Sequence, residues 1–114
     1  NQLLDLFEGG NYLAAVGEYE LAATCFEYVK SHYRGAEIFN NLGVNYALHA
    51  LHLTDDNIEP FVYPFEIEWE TRLRKKQSSE GTKDLSPYEN RLREKYLTKA
   101  ENAFKNVLNN LKNI

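Results

Sequence analysis

Methionine is absent from these 114 residues, cysteine and tryptophan occur once each, and there are only three prolines. The single thiol, Cys25, has no partner within the chain, so no intramolecular disulfide holds the fold and the redox compartment stays open. No apolar run approaches the roughly 20 residues that span a bilayer, and no charged-then-apolar leader opens the chain, so no membrane insertion is expected. Basic side chains number 13 against 17 acidic ones, a formal charge of -4, which argues against a phosphate-binding surface and excludes nucleic acid as the expected partner. Gly-rich phosphate loops, G-x-S-x-G and H-E-x-x-H are all missing. The chain opens at Asn1 and enters a helical pattern at once, which reads as a piece of a longer protein, so a missing targeting signal carries no weight about localisation.

What is present is an ordinary globular composition, 43% hydrophobic and 26% charged, in a length that suits one domain with a single core. The most organised stretch is Ala36 to Leu53, AEIFNNLGVNYALHALHL. Phe39, Leu42, Tyr46 and Leu53 fall on one face of a helix, and Gly43 sits inside that stripe. A glycine within a helix costs roughly 1 kcal/mol against Ala, so its use here points to a second helix that must approach the backbone. Gly43 is expected to face Ala100 or Ala103.

The same logic applies upstream. Counting from Gly10, Leu13, Gly17, Tyr19, Ala22 and Phe26 follow at three, seven, nine, twelve and sixteen residues. This spacing predicts helices near 2–15 and 18–32 around a turn at Val16-Gly17, packed through Leu6, Leu13, Tyr19 and Phe26. The pair Gly9-Gly10 offers an alternative turn at Asn11-Tyr12. With F-x-x-L-G-x-x-Y at Phe39 to Tyr46, and 33 residues between Gly10 and Gly43, the chain resembles the tetratricopeptide repeat (TPR) family, Phe39 standing where the family usually has Trp. Gly9, Val29 and Arg34 depart from its usual Leu, Ala and Pro.

After Leu53 the period fails: Thr54-Asp55-Asp56-Asn57 is loop-like, and Pro60 and Pro64 follow. Ala100, Phe104 and Val107 repeat the spacing of Ala22, Phe26 and Val29, so the second repeat reads as split by a long insertion. The organisation expected is one TPR-like, all-α domain over 1–114 with four main helices: repeat 1 at about 3–35, repeat 2 at about 36–53 plus 90–112, and an insertion at about 54–89. The returning helix, near 87–112, is announced by Ser86, Pro87 and Glu89 as a capping box with proline at its first position. Its expected apolar stripe is Tyr88, Leu92, Tyr96, Ala100, Ala103, Phe104, Val107, Leu108 and Leu111.

Within the insertion, Phe61, Tyr63, Phe65, Ile67 and Trp69 alternate with Val62, Pro64, Glu66, Glu68 and Glu70, the period of an extended strip. Two readings stand: the strip covers apolar helix surface, or Phe61, Tyr63, Phe65 and Trp69 form a second binding surface. Polar QSSEGTKD, Gln77 to Asp84, reads as a loop. Charge is uneven, with residues 1–53 carrying two basic and six acidic side chains and residues 86–114 six and three.

Chemistry-bearing groups are sparse. His49 and His52, three apart with Asp55 and Asp56 beyond, lack a metal-ligand motif, and Cys25 with His32 lacks a third group to orient a base, so no metal, cofactor or catalytic site is expected. The TPR resemblance implies instead a non-catalytic protein-protein interaction scaffold, binding a protein or peptide in a concave groove lined by Phe7, Asn11, Ala14, Asn40, Asn41, Val44 and Leu48. Asn11 and Asn41 match positions of the family's chaperone-tail clamp, but Phe7 stands at a Lys position and there is no third repeat, which argues against carboxylate-tail recognition. A regulatory or ligand-sensing domain whose groove is filled by its own insertion is the alternative. Two repeats also leave an apolar end face, so the isolated chain is expected to self-associate or to lean on neighbouring domains.

Overall fold

The computed structural model describes residues 1–54 and 84–112, and the aromatic strip at 61–69 lies outside them. Four helices make up most of the described chain: α1 (Gln2–Ala15), α2 (Tyr19–His32), α3 (Ala36–Thr54) and α4 (Pro87–Lys112). No strand occurs among the described residues, and the fold is all-α. No helix there is long and apolar enough to cross a membrane.

Local chemistry explains the boundaries. The Asn1 side chain accepts a hydrogen bond from the Leu3 N–H at 2.9 Å and caps α1. α1 then runs through Gly9-Gly10 without a break, and the chain turns at Val16-Gly17, where Gly17 has a φ of 85°, a left-handed conformation that glycine adopts without steric cost. The box that starts α4 is formed: the Glu89 N–H donates to Ser86 Oγ and the Ser86 N–H to Glu89 Oε1, each at 3.2 Å.

Each helix packs on the next in sequence, α1 on α2, α2 on α3 and α3 on α4, whereas α1 touches α3 lightly and no Cα of α2 comes within 8 Å of one in α4. Short turns make the first three helices antiparallel neighbours. Contacts of Gly43 with Phe104, Tyr46 with Lys99 and His49 with Tyr96 run in opposite order along α3 and α4, so that pair is antiparallel too. α3 is the shared element. It buries Ile38, Phe39, Leu42 to Leu48 and Ala50, almost its whole circumference, while α1, α2 and α4 each bury one side.

Two crossings repeat one geometry. A Cβ placed on Gly10 would lie 2.6 Å from Cε1 of Phe26, and a Cβ placed on Gly43 would lie 2.5 Å from Cε1 of Phe104. The closest neighbour of Gly43 is therefore the Phe104 ring, not Ala100 or Ala103, although both alanines are buried. Helical side chains lean toward the helix N-terminus, so a phenylalanine four residues beyond a small residue lays its ring back over that crossing. Phe26 stands four after Ala22, and Phe104 four after Ala100.

α4 also departs from its expected stripe. Tyr96, Ala100 and Ala103 are buried and Leu92, Phe104 and Val107 pack beside them, but Tyr88, Leu108 and Leu111 are exposed. At 26 residues α4 is about 39 Å long against about 28 Å for the 19 residues of α3, so its ends pass beyond the helix they pack on. Cys25 is a half-buried free thiol on α2.

Glycine substitutions test the crossings directly. Nothing lies within 4 Å of a Cβ at Gly9, so Gly9→Ala should stabilise by about 0.5–1 kcal/mol. Gly43→Leu should destabilise by about 1–3 kcal/mol, and Gly43→Ala should also lose stability despite its better helix propensity. Urea unfolding of the three variants gives the sign of each.

Candidate functional site

The face where α1 meets α3 carries most of the residues proposed for a groove. Asn41 Nδ2 donates to Asn11 Oδ1 at 2.7 Å, joining helices 30 residues apart in sequence, and Asn40 Nδ2 lies 3.4 Å from Asn41 Oδ1. Asn11, Ala14, Asn41 and Val44 line one small cavity of about 10 Å³ with Phe26 and Asn45. The structure thus brings four of the seven together. Ala14, Val44 and Leu48 are buried, however, and form the floor beneath the face. The cause for Val44 and Leu48 is Tyr19, which packs on both from the start of α2.

Asn45 was not marked by any sequence pattern. It is only 1% exposed, its Nδ2 donates to the Tyr19 carbonyl at 2.9 Å, and its Oδ1 has no hydrogen-bond partner among the described residues. A polar residue inside an apolar helical face was the available signal, and the bond it makes fixes the start of α2 against α3. Losing it would remove a buried hydrogen bond between α2 and α3, at a cost of about 0.5–1.5 kcal/mol.

Phe7 lies one turn before Asn11 and opens onto a larger hollow of about 350 Å³, lined also by Leu3, Leu4, Val29, Tyr33 and Glu37. The hollow is mainly apolar. Leu4 and Tyr33 are 54% and 51% exposed at its rim, and the Phe7 ring packs at a tilt on Phe26, 6.0 Å between centroids. Tyr33 hydrogen-bonds Glu37, whose carboxylate raises the phenol's pKa. Phe61, Tyr63, Phe65 and Trp69, proposed as a second surface, lie outside the described residues.

His49 and His52 serve packing. The His49 ring stacks on Tyr96 at 4.0 Å and faces Tyr19 at 5.4 Å, so it joins α2, α3 and α4, and His52 meets Tyr19 edge-on at 5.7 Å. No group of three or more His, Cys, Asp or Glu side chains among the described residues is placed to hold a metal ion. The His32 ring packs at a tilt on Tyr28, 4.7 Å between centroids, and its Nδ1 lies 2.8 Å from the Ser31 hydroxyl.

No family model, curated protein or solved structure matches this chain.

Burial lowers the His49 pKa from its ordinary 6.5, against the upward pull of the Glu20 carboxylate, and His52 adds to the lowering. The unfolded chain then takes up the proton more readily than the folded one at this group, so its contribution to stability is complete above pH 6.5 and falls as the pH drops toward the lowered value. Thermal unfolding followed against pH should show that decline, and His49→Phe, which keeps a ring between Tyr19 and Tyr96, should flatten it.

Proposed function

We propose that this chain is a non-catalytic protein-interaction module, a TPR-like scaffold of two helix pairs within a larger protein, that takes a peptide or an extended protein segment across the α1–α3 face. The observation that carries this reading is the apolar hollow at Phe7, one turn before Asn11 on α1. Its volume of about 350 Å³ falls in the range that accepts a large side chain, and its rim exposes apolar surface. A partner's apolar side chain fills the hollow while its backbone runs beside the two carboxamides, which offer both donors and acceptors. No metal, cofactor or nucleic acid enters this scheme.

Support for a repeat scaffold comes from the two matching crossings, Phe26 on Gly10 and Phe104 on Gly43, and from the chain-order packing of the helices. In such an array each unit leaves a face for the next. Leu97, Leu108 and Leu111 lie on one side of α4 and are 38%, 58% and 56% exposed, an apolar strip suited to a further helix or a second copy of the chain.

Selection of peptides from a displayed random library, followed by titration against variants, tests the main reading. Selected peptides should carry a large apolar residue, and Phe7→Glu should weaken them by about tenfold or more. Peptides that bind Phe7→Glu and Asn41→Ala as well as the parent chain would refute it. For the strip, sedimentation should show association that rises with concentration and is reduced by Leu108→Glu.

A further inference from the structure

On the side away from the Asn11–Asn41 pair, α2 and α4 stand apart and leave a crevice of about 240 Å³ whose floor is α3. The floor is apolar, made by Phe39 and Leu42, with Ala103 of α4 beside them. Its rim is polar: Glu27 and Lys30 from α2, and Lys99, Asn102 and Asn106 from α4. Tyr46 lies between, donating its hydroxyl hydrogen to Glu27 Oε1 at 3.0 Å.

The charges at this rim are not balanced. Glu27 is already committed, since Lys30 Nζ lies 2.8 Å from its Oε2 and Tyr46 holds its other oxygen. Burial acts to raise the Glu27 pKa, but the hydrogen bonds from Lys30 and Tyr46 and the charges of Lys30 and Lys99 outweigh it, so the net direction is down and the carboxylate stays ionised. Lys99 is the cation left over. Its ammonium lies 5.3 Å from the centroid of the Tyr46 ring, and it makes no ion pair among the described residues. Two carboxamides stand one and two turns along the same face of α4. Asn106 Nδ2 spends one hydrogen on the Asn102 backbone carbonyl at 3.0 Å, and the Asn102 amide stands one turn from Lys99.

We propose that this crevice binds a small organic monocarboxylate, its apolar stem on Phe39, Leu42 and Ala103 and its carboxylate between Lys99 and Asn102. One negative charge is the number that fits, because among the described residues Lys30, Lys99 and Glu27 leave a surplus of one positive charge at the rim. The volume lies below the range usual for drug-sized ligands, which selects a short stem. Binding here involves neither Phe7 nor Asn41, so the site stands or falls independently of the peptide face.

Titration of the ¹⁵N-labelled chain with hexanoate tests this, with hexylammonium and hexyl phosphate as comparison ligands. Hexanoate should shift the Asn102 side-chain amide and the backbone amides of Tyr46 and Ala103, hexylammonium should not, and hexyl phosphate should bind no more tightly than hexanoate. Lys99→Glu should weaken hexanoate by about tenfold or more. Lys105→Glu removes the same charge from α4 at an exposed position already paired with Glu101 at 3.1 Å, and it should leave the affinity within about twofold. Absence of shifts in the crevice, equal losses in the two lysine variants, or tighter binding of the phosphate would each overturn the proposal.

Discussion

A phenyl ring laid on bare backbone sets the geometry of this fold. At Gly10 and again at Gly43, the ring of a phenylalanine from the following helix of the pair occupies the space where any other residue would carry its Cβ. Glycine weakens each helix locally, by roughly 1 kcal/mol against alanine. What is gained is close approach: the ring buries its apolar area against a helix axis instead of against side chains, and the two helices are locked in one register. Because the contact occurs in both pairs, α1 with α2 and α3 with α4 are built alike although 32 residues separate α3 from α4 and only three separate α1 from α2.

The arrangement makes α3 the element on which the others depend. It receives α2 on one side and α4 on the other, and its polar groups are used in those contacts. Asn45 holds the Tyr19 carbonyl, Tyr46 reaches Glu27, and His49 stands between Tyr19 and Tyr96. α1 and α4 lie at the outside and expose Leu4 at the hollow and Leu97, Leu108 and Leu111 along α4, while α2 exposes Leu21 and Tyr28. One basic residue of α4, Lys99, lines the crevice with α2, where Glu27 is ion-paired with Lys30 and Lys99 makes no ion pair within the described residues.

Much of the helical layout was legible because it depends on local rules. Periodicity and turn chemistry placed all four helices to within a residue or so, and Ser86, Pro87 and Glu89 marked the start of α4 correctly. The paired glycines at 9 and 10 read ambiguously, since a helical position against Phe26 and a turn both favour glycine. Other features need knowledge of three-dimensional direction. That Phe104, not an alanine, covers Gly43 follows only when the lean of helical side chains is combined with the antiparallel crossing. Equally, Val44 and Leu48 share a helix side with Asn40 and Asn41, and nothing in spacing says that Tyr19 closes over them. The groove list therefore mixes two roles. Phe7, Asn11, Asn40 and Asn41 remain at the face, while Ala14, Val44 and Leu48 support it from beneath. The Tyr–His stack and the α2–α4 crevice join residues too distant in sequence for any periodic signal.

The claim that these crossings hold the fold is tested most directly by a double-mutant cycle at each, combining Gly43→Ala with Phe104→Leu and Gly10→Ala with Phe26→Leu. If ring and backbone compete for the same space, the smaller leucine relieves the added methyl, and each double variant is more stable than the sum of its singles allows, by about 0.5–3 kcal/mol. Additive losses at both crossings, measured by equilibrium unfolding, would contradict the account.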